Sequence, residues 1–456
     1  MKEFDAIIIG FGKGGKTLAA NLAKRGKKVA MIERSNKMYG GTCINIGCIP
    51  TKTLVHQAKE ASKKTGLSFE EKNTFYKQAI TVKEEVTGML RQKNYHNLAD
   101  NELITVFDGI GSFASEDTVL VRTQTETLTL KSDLIVINTG SETVIPPIPG
   151  VKDNPFVYTS TSIMEMQELP QRLTIIGGGY IGLEFASMYA SFGSEVTVLE
   201  SYPILIGRED RDIADSVKAA LEKKGVRFIL NAKVTSVEQK DGLAAVSFTD
   251  SQAGTSHILE SEAVLLATGR KPNTADLNLE AAGVETDERG AIKVNEHLVT
   301  TNPHVRALGD VKGGLQFTYI SLDDYRIVRE DLFGDGKRVL SDRNLVSYSV
   351  FIDPPLSRIG LNEEEALKLG KNILVKKLPV MAIPRAKTLR ETEGMLKAII
   401  DKDTNKILGC TLFCPESSEV INTVAAAMKA GMDYTFLRDF IFTHPSMSEA
   451  LNDLLS

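Results

Sequence analysis

Two cysteines five residues apart stand in the stretch Gly40-Gly-Thr-Cys43-Ile-Asn-Ile-Gly-Cys48-Ile-Pro-Thr-Lys52. That spacing does not fit a zinc knuckle, which needs C-x₂₋₄-C and a second ligand cluster. On a regular helix the offset would hold the two Cα atoms too far apart for a bond. A bend at Gly47 brings the ~5.5 Å disulfide separation within reach. Gly40 and Gly41 before the pair, and Pro50 after it, read as a loop entering a helix. A thiol at a helix N-terminus loses its proton more readily and is the better nucleophile. Far downstream, His444 and Glu449 could serve such a thiol as a base with an orienting carboxylate.

Two further patterns look like dinucleotide sites. In the first, the apolar run Ala6–Ile9 leads into Gly10, Gly12 and Gly15. Leu18, Ala19, Leu22 and Ala23 follow at helical spacing, and a second apolar run ends in Glu33. In the second, Leu173–Ile176 leads into Gly177, Gly179 and Gly182, and the unit ends in Glu200. From first glycine to acid both copies span 23 residues. The glycines permit the turn, the close approach of a pyrophosphate and the packing of helix on strand. The helix N-terminus faces the phosphates with free N–H groups, and the acid can accept hydrogen bonds from ribose hydroxyls. Two Gly-rich turns in an ordinary α/β protein would not explain the matched acids. A carboxylate at Glu200 repels a 2′-phosphate and favours NADH over NADPH; Arg208 and Arg211 nearby could reverse this.

The elements that must carry these residues are α/β. The 456 residues suffice for two to four domains. Hydrophobic residues at 42% and charged residues at 25% are the balance of a folded soluble protein. A formal charge of −5 argues against a protein built to grip nucleic acid or an anionic membrane surface. No apolar run approaches the ~18 residues of a membrane span. The N-terminal run is too short for a signal-peptide core, so a cytoplasmic location is expected. Four cysteines exclude a structural disulfide framework. Cys410 and Cys414 lie on one face of a predicted strand, ~13 Å apart, and read as core. The remaining histidines show no metal-ligand spacing, and no metal is expected.

Together these motifs resemble the class I flavoprotein (pyridine nucleotide-disulfide) oxidoreductases: lipoamide dehydrogenase, glutathione reductase, mercuric reductase and relatives. The resemblance covers nearly the whole chain and implies a glutathione reductase-like fold. That fold has two Rossmann-like dinucleotide domains and a C-terminal α+β dimerisation domain. It places FAD-binding parts at 1–147 and 271–344, a nicotinamide domain at 148–270 and an interface domain at 345–456. It implies that Cys48 faces the flavin and Cys43 meets substrate, with Lys52 near the flavin and paired with Glu184. Thr42, Gly140, Gly309 and Asp310 join Gly10, Gly12, Gly15 and Glu33 as FAD residues. Gly269 joins Gly177, Gly179, Gly182 and Glu200 as residues for NADH. His444 and Glu449, in a His-Pro-x-x-x-Glu element, would complete the active site of the other subunit of a homodimer.

Departures from the common relatives narrow the resemblance. They are Lys13 and Lys16 in the first loop, the run Gly314–Arg326 after Asp310, and Phe442-Thr443 before His444. These resemble the reactive-chlorine-resistance subgroup and imply reduction of a small oxidant, foremost hypothiocyanous acid. The alternatives are a lipoamide- or glutathione-type disulfide reductase, a Hg(II) or Cu(II) reductase, and, in another class, a non-catalytic flavin redox sensor.

Overall fold

The computed structural model describes all residues, 1–456. The chain separates into two compact units. The first holds residues 1–53, 80–144 and 269–343; the second holds 54–79, 145–268 and 344–456. Two of these boundaries fall inside helices, Cys48–Ser62 and Phe69–Ala99. The sequence predicts one long helical stretch over 54–97. A break over 63–68, which contains Gly66 at φ +76°, divides it in two.

In the first unit a five-stranded parallel sheet runs in the order Val305–Ala307, Ile135–Ile137, Ala6–Ile9, Val29–Glu33, Ile104–Asp108. Strand alternation sorts the side chains of its central strand. Ala6 and Ile8 join one buried cluster, while Ile7 and Ile9 join another on the opposite face. The helix Lys13–Lys24 buries Leu18, Ala19, Leu22 and Ala23 against Ala6 and Ile8, the stripe expected from their spacing. The first glycine loop therefore lies at the carboxyl end of a central strand, where open α/β sheets bind ligands.

The second unit repeats the plan. Its parallel sheet runs Val157–Thr159, Ala263–Leu266, Arg172–Ile176, Glu195–Leu199, Arg227–Ile229. The helix Tyr180–Phe192 follows the second glycine loop, again from a central strand. The same unit holds an antiparallel five-stranded sheet: Tyr348–Val350, Leu356–Gly360, Ile407–Phe413, Met395–Asp401, Ile373–Pro379. Cys410 and Cys414 are buried with Leu412 in its core, and burial pushes the Cys410 thiol up to about 12. The sequence predicts a strand over Leu345–Phe351, and the structure forms a shorter one at Tyr348–Val350. The sequence predicts a helix starting at Asn362, and the structure has Glu363–Lys368 with Asn362 as its cap: the Asn362 side chain accepts from Glu365 N, and the Glu365 carboxylate accepts from Asn362 N.

Candidate active site

The segment holding the cysteines is two helices, not one. Thr42–Asn45 forms a single turn, Ile46 and Gly47 interrupt it, and Cys48 opens the helix Cys48–Ser62. The interruption brings the thiols of Cys43 and Cys48 into mutual hydrogen-bonding contact. Both are free thiols in this structure. Cys43 is half-buried and Cys48 reaches the surface. The two share one proton unequally. The hydrogen bond from Cys43, set against the desolvation around the sulfur, lowers the Cys48 thiol to about 6; Thr318 and the Lys52 charge add to this. The same contact, with burial, drives Cys43 the other way. The contact therefore favours the thiolate at Cys48 and the thiol at Cys43.

Three residues that sequence reasoning did not assign to the site hold this geometry. Thr318 Oγ1 lies 3.6 Å from Cys48 Sγ across 270 residues of sequence. Asn45 Nδ2 donates to the carbonyls of Tyr39 (3.0 Å) and Gly41 (2.9 Å). Arg91 Nε donates to Asn45 Oδ1 at 2.7 Å. Thr318 lies within the departing run 314–326, but nothing in its spacing points to a cysteine.

The two glycine loops are built alike. Phe11 N donates to Glu33 Oε2 at 3.0 Å, and Gly178 N donates to Glu200 Oε2 at 2.7 Å. Each acid therefore braces the residue after the first glycine of its own loop. Glu33 Oε1 also accepts from Ser35 N, and Glu200 Oε1 from Tyr202 N. Burial raises the Glu33 carboxyl, opposed by these amide hydrogen bonds.

The cradle of the first loop fits FAD. A Cβ on Gly12 would come within 2.4 Å of Asn138 Oδ1, so only glycine lets this backbone lie against the strand-to-turn segment beside it. The amides of Gly12 and Lys13, at the start of the helix, have no acceptor in the chain and suit a diphosphate. The segments after Gly140 and Gly269 pair as short antiparallel strands, Ser141–Thr143 and Arg270–Pro272. There Arg270 Nε donates to Ser141 Oγ (2.9 Å), which donates to Asp310 Oδ2 (2.8 Å). Burial raises the Asp310 carboxyl, tempered by Ser141 and Arg270. Oδ1 of Asp310 remains open to accept from a polyol such as ribitol. Gly309 N is held by Asp324 Oδ2 at 2.7 Å. Gly269 falls in the first unit, beside these residues.

In the second unit, Glu184 Oε1 accepts from Phe351 N at 2.7 Å. Lys52 sits one turn into the helix that Cys48 opens, where its charge favours the Cys48 thiolate. His444 Nδ1 lies 3.0 and 2.9 Å from the two Glu449 oxygens. The carboxylate accepts Nδ1–H, which leaves Nε2 as the proton acceptor of an exposed imidazole.

The description "Pyridine nucleotide-disulphide oxidoreductase" matches residues 4–324, and the corresponding dimerisation domain matches residues 346–455. The chain belongs to this family. It is similar to the Escherichia coli (strain K12) protein described as "Probable pyridine nucleotide-disulfide oxidoreductase RclA", with 52% identity covering 100% of this chain and 99% of that protein. It is 33% identical to the mercuric reductase of Staphylococcus aureus, covering 98% of this chain and 81% of that enzyme. Among solved structures it is similar to the "Cu(II) complex of HOCl-induced flavoprotein disulfide reductase RclA from Escherichia coli". That likeness has a TM-score of 0.93 at 52% identity and covers 100% of this chain and 99% of that chain. The chain is a flavoprotein disulfide oxidoreductase of glutathione reductase-like α/β fold, from a family that implies FAD and a pyridine nucleotide, and it carries that family's dimerisation domain. No helix is long and apolar enough to cross a membrane.

Proposed function

We propose that this enzyme uses NADH to reduce hypothiocyanous acid to thiocyanate in the cytoplasm, as a defence against oxidants. The observation that carries the reading is the Cys43/Cys48 pair, one thiol acidified and the other proton-bearing, in contact. The choice of substrate rests on the subgroup features at Lys13, Lys16 and 314–326, and on the similarity to a relative described as HOCl-induced. When bound, FAD and the nicotinamide supply the electron pair that converts the Cys43–Cys48 disulfide to the dithiol. Residues 1–147 and 271–344 would hold FAD through Gly10, Gly12, Gly15, Glu33, Thr42, Gly140, Gly309 and Asp310. Residues 148–270 would hold the nicotinamide through Gly177, Gly179, Gly182 and Glu200, and 345–456 would form the interface.

His444 of the partner subunit takes the Cys43 proton, and the Cys43 thiolate attacks the sulfur of hypothiocyanous acid. An S–S bond forms, the S–O bond breaks and hydroxide leaves. His444 of the partner subunit, oriented by Glu449, protonates that hydroxide to water. Cys48 thiolate then attacks the Cys43 sulfur, thiocyanate departs and the disulfide is restored. Hypothiocyanous acid and NADH together yield thiocyanate, water and NAD⁺.

The preference for NADH is supported by Glu200 and by the fate of Arg211. Arg211 Nη2 is spent on the carbonyls of Leu205 (3.2 Å), Ile206 (3.4 Å) and Glu209 (3.1 Å).

The test is NADH oxidation by the purified flavoprotein with hypothiocyanous acid, oxidised lipoamide, glutathione disulfide and Cu(II) in parallel. Rapid turnover with hypothiocyanous acid alone, abolished in Cys43→Ser, is the expected result. Preference for either disulfide or for the metal ion would replace the substrate assignment. Full turnover in Cys43→Ser would discard the thiol mechanism.

A further inference from the structure

The lysine at position 16 is unusual company for a dinucleotide loop, and the mechanism above leaves it unused. It is the fourth residue of the helix Lys13–Lys24 and half-buried. Its Nζ donates to Gly40 O at 3.3 Å and, at closer range, to Asn94 Oδ1. Asn94 is fixed in turn, its Nδ2 donating to Leu90 O at 2.7 Å. An ammonium has three donors, so these two acceptors leave one N–H without a protein partner. No carboxylate lies within ion-pair distance of it.

The carbonyl it holds belongs to the turn that delivers Cys43. Gly40 and Gly41 take φ of +97° and +79°, and Thr42 and Cys43 follow at once. The turn has no slack: a Cβ on Gly41 would meet Gly12 Cα at 2.7 Å. A shift at Gly40 is therefore passed on to the cysteine. The charged surroundings are equally specific. Lys13, on the same helix, repels the Lys16 ammonium, and only Cys43 among the neighbouring groups favours it. Burial, then Lys13, bring the ammonium down to about 8. From the long helix Phe69–Ala99 the nearest polar groups are the neutral Asn94 and Arg91, the latter committed to Asn45. Facing Cys43 are Cys48, Thr318 and Lys16 itself, and the Lys16 charge favours its thiolate. A desolvated cation without a carboxylate is costly to keep. It is accounted for if an anion forms beside it during turnover.

We propose that Lys16 is a positioning residue for Cys43, fixing the Gly40 turn by hydrogen bond and supplying the counter-charge for the Cys43 thiolate as it attacks. This rests on the reading of Cys43 as the substrate-facing thiol.

The experiment alkylates the NADH-reduced, FAD-loaded enzyme with iodoacetamide and maps the labelled cysteine by peptide mass spectrometry across a pH series. Lys16→Met, Lys16→Gln and Lys16→Arg are compared with the unaltered enzyme. Removing the charge is expected to slow Cys43 labelling at neutral pH about tenfold and to move its pH profile upward by about one unit, since thiolate fraction sets the rate. Arg is expected to restore the profile, whereas Gln, a neutral donor for the Gly40 carbonyl, is not. An unaltered rate and profile in Gln overturns the proposal even if Met fails to fold. Loss of FAD from Met and Gln with an unchanged Cys43 profile also overturns it and assigns the cation to the dinucleotide diphosphate. Label on Cys48 is expected beside that on Cys43, since the Cys48 thiol is the lower, and the two are told apart by fragment ions that place the mass within the shared tryptic peptide 38–52. Full turnover in Cys43→Ser refutes the prior reading of which thiol meets substrate.

Discussion

Cys48 is acidic for reasons that can be separated by substitution. The hydrogen bond from Cys43 leads, desolvation opposes it, and the Thr318 hydroxyl and Lys52 charge follow. A hydrogen bond to a charged acceptor is worth roughly 1.5–3 kcal/mol, and 1.36 kcal/mol corresponds to one pH unit. Thr318→Val keeps the shape and removes the donor. The thiolate loses a stabilising partner that the thiol does not need, so the midpoint must rise. In a Cys43→Ser background, where Cys48 is the sole thiol of the pair, the alkylation midpoint of Cys48 is expected to move upward by roughly one pH unit. An unmoved midpoint would remove Thr318 from the site. The cysteines, His444 and Glu449 could be read from the sequence because their types and spacing carry chemistry on their face. Thr318 could not, because its only relation to Cys48 is spatial. Lys16 stands between these cases: the sequence shows it as a departure, and only the Gly40 carbonyl and Cys43 nearby give that departure a use.

At the scale of elements, the repeated strand–glycine–helix–strand–acid unit was legible because its physics is local. The strand order on either side of each unit was not, since it depends on residues brought in from elsewhere in the chain. Asn138 illustrates the difference. The sequence places it in a strand-to-turn signal, Val136–Gly140. In the structure its buried side chain accepts from Gly15 N at 2.9 Å and donates to Leu308 O at 2.7 Å, partners 123 and 170 residues away. It ties the first glycine helix to the segment preceding Gly309 and Asp310. Asn138→Ala leaves a buried N–H and a buried C=O unpaired, each costing about 1–3 kcal/mol. For a chain of this size the two together amount to a drop of roughly 2–6 °C in Tm by calorimetry, accompanied by weaker FAD retention. The surface substitution Glu126→Ala, far from any such network, is the control. A Tm equal to that of the control would show that Asn138 does not hold the cradle.

At the scale of the whole molecule, the homodimer was implied only by resemblance, and a patch on the interface segment now gives it a physical motive. Met432, Phe436 and Phe440 are exposed, and Ile441, three residues before His444, is 95% exposed in the single chain. Contiguous apolar surface of this kind marks an interaction site. If this surface pairs two copies and carries His444 into the partner's thiol site, every active site needs one residue from each chain. Cys43→Ser and His444→Gln homodimers are then both inactive, the first for want of a nucleophile and the second for want of an acid–base group. Mixing the two subunit types by co-expression gives a sharper outcome. A heterodimer places both lesions in one of its two sites and leaves the other intact. Random pairing makes half of all dimers heterodimeric, so turnover is expected to return to about a quarter of the unaltered enzyme. If His444 served its own chain, every site in the heterodimer would carry one lesion and the mixture would stay inactive. Tagging the two subunits differently and purifying through both tags isolates the heterodimer, whose turnover should then rise to about half.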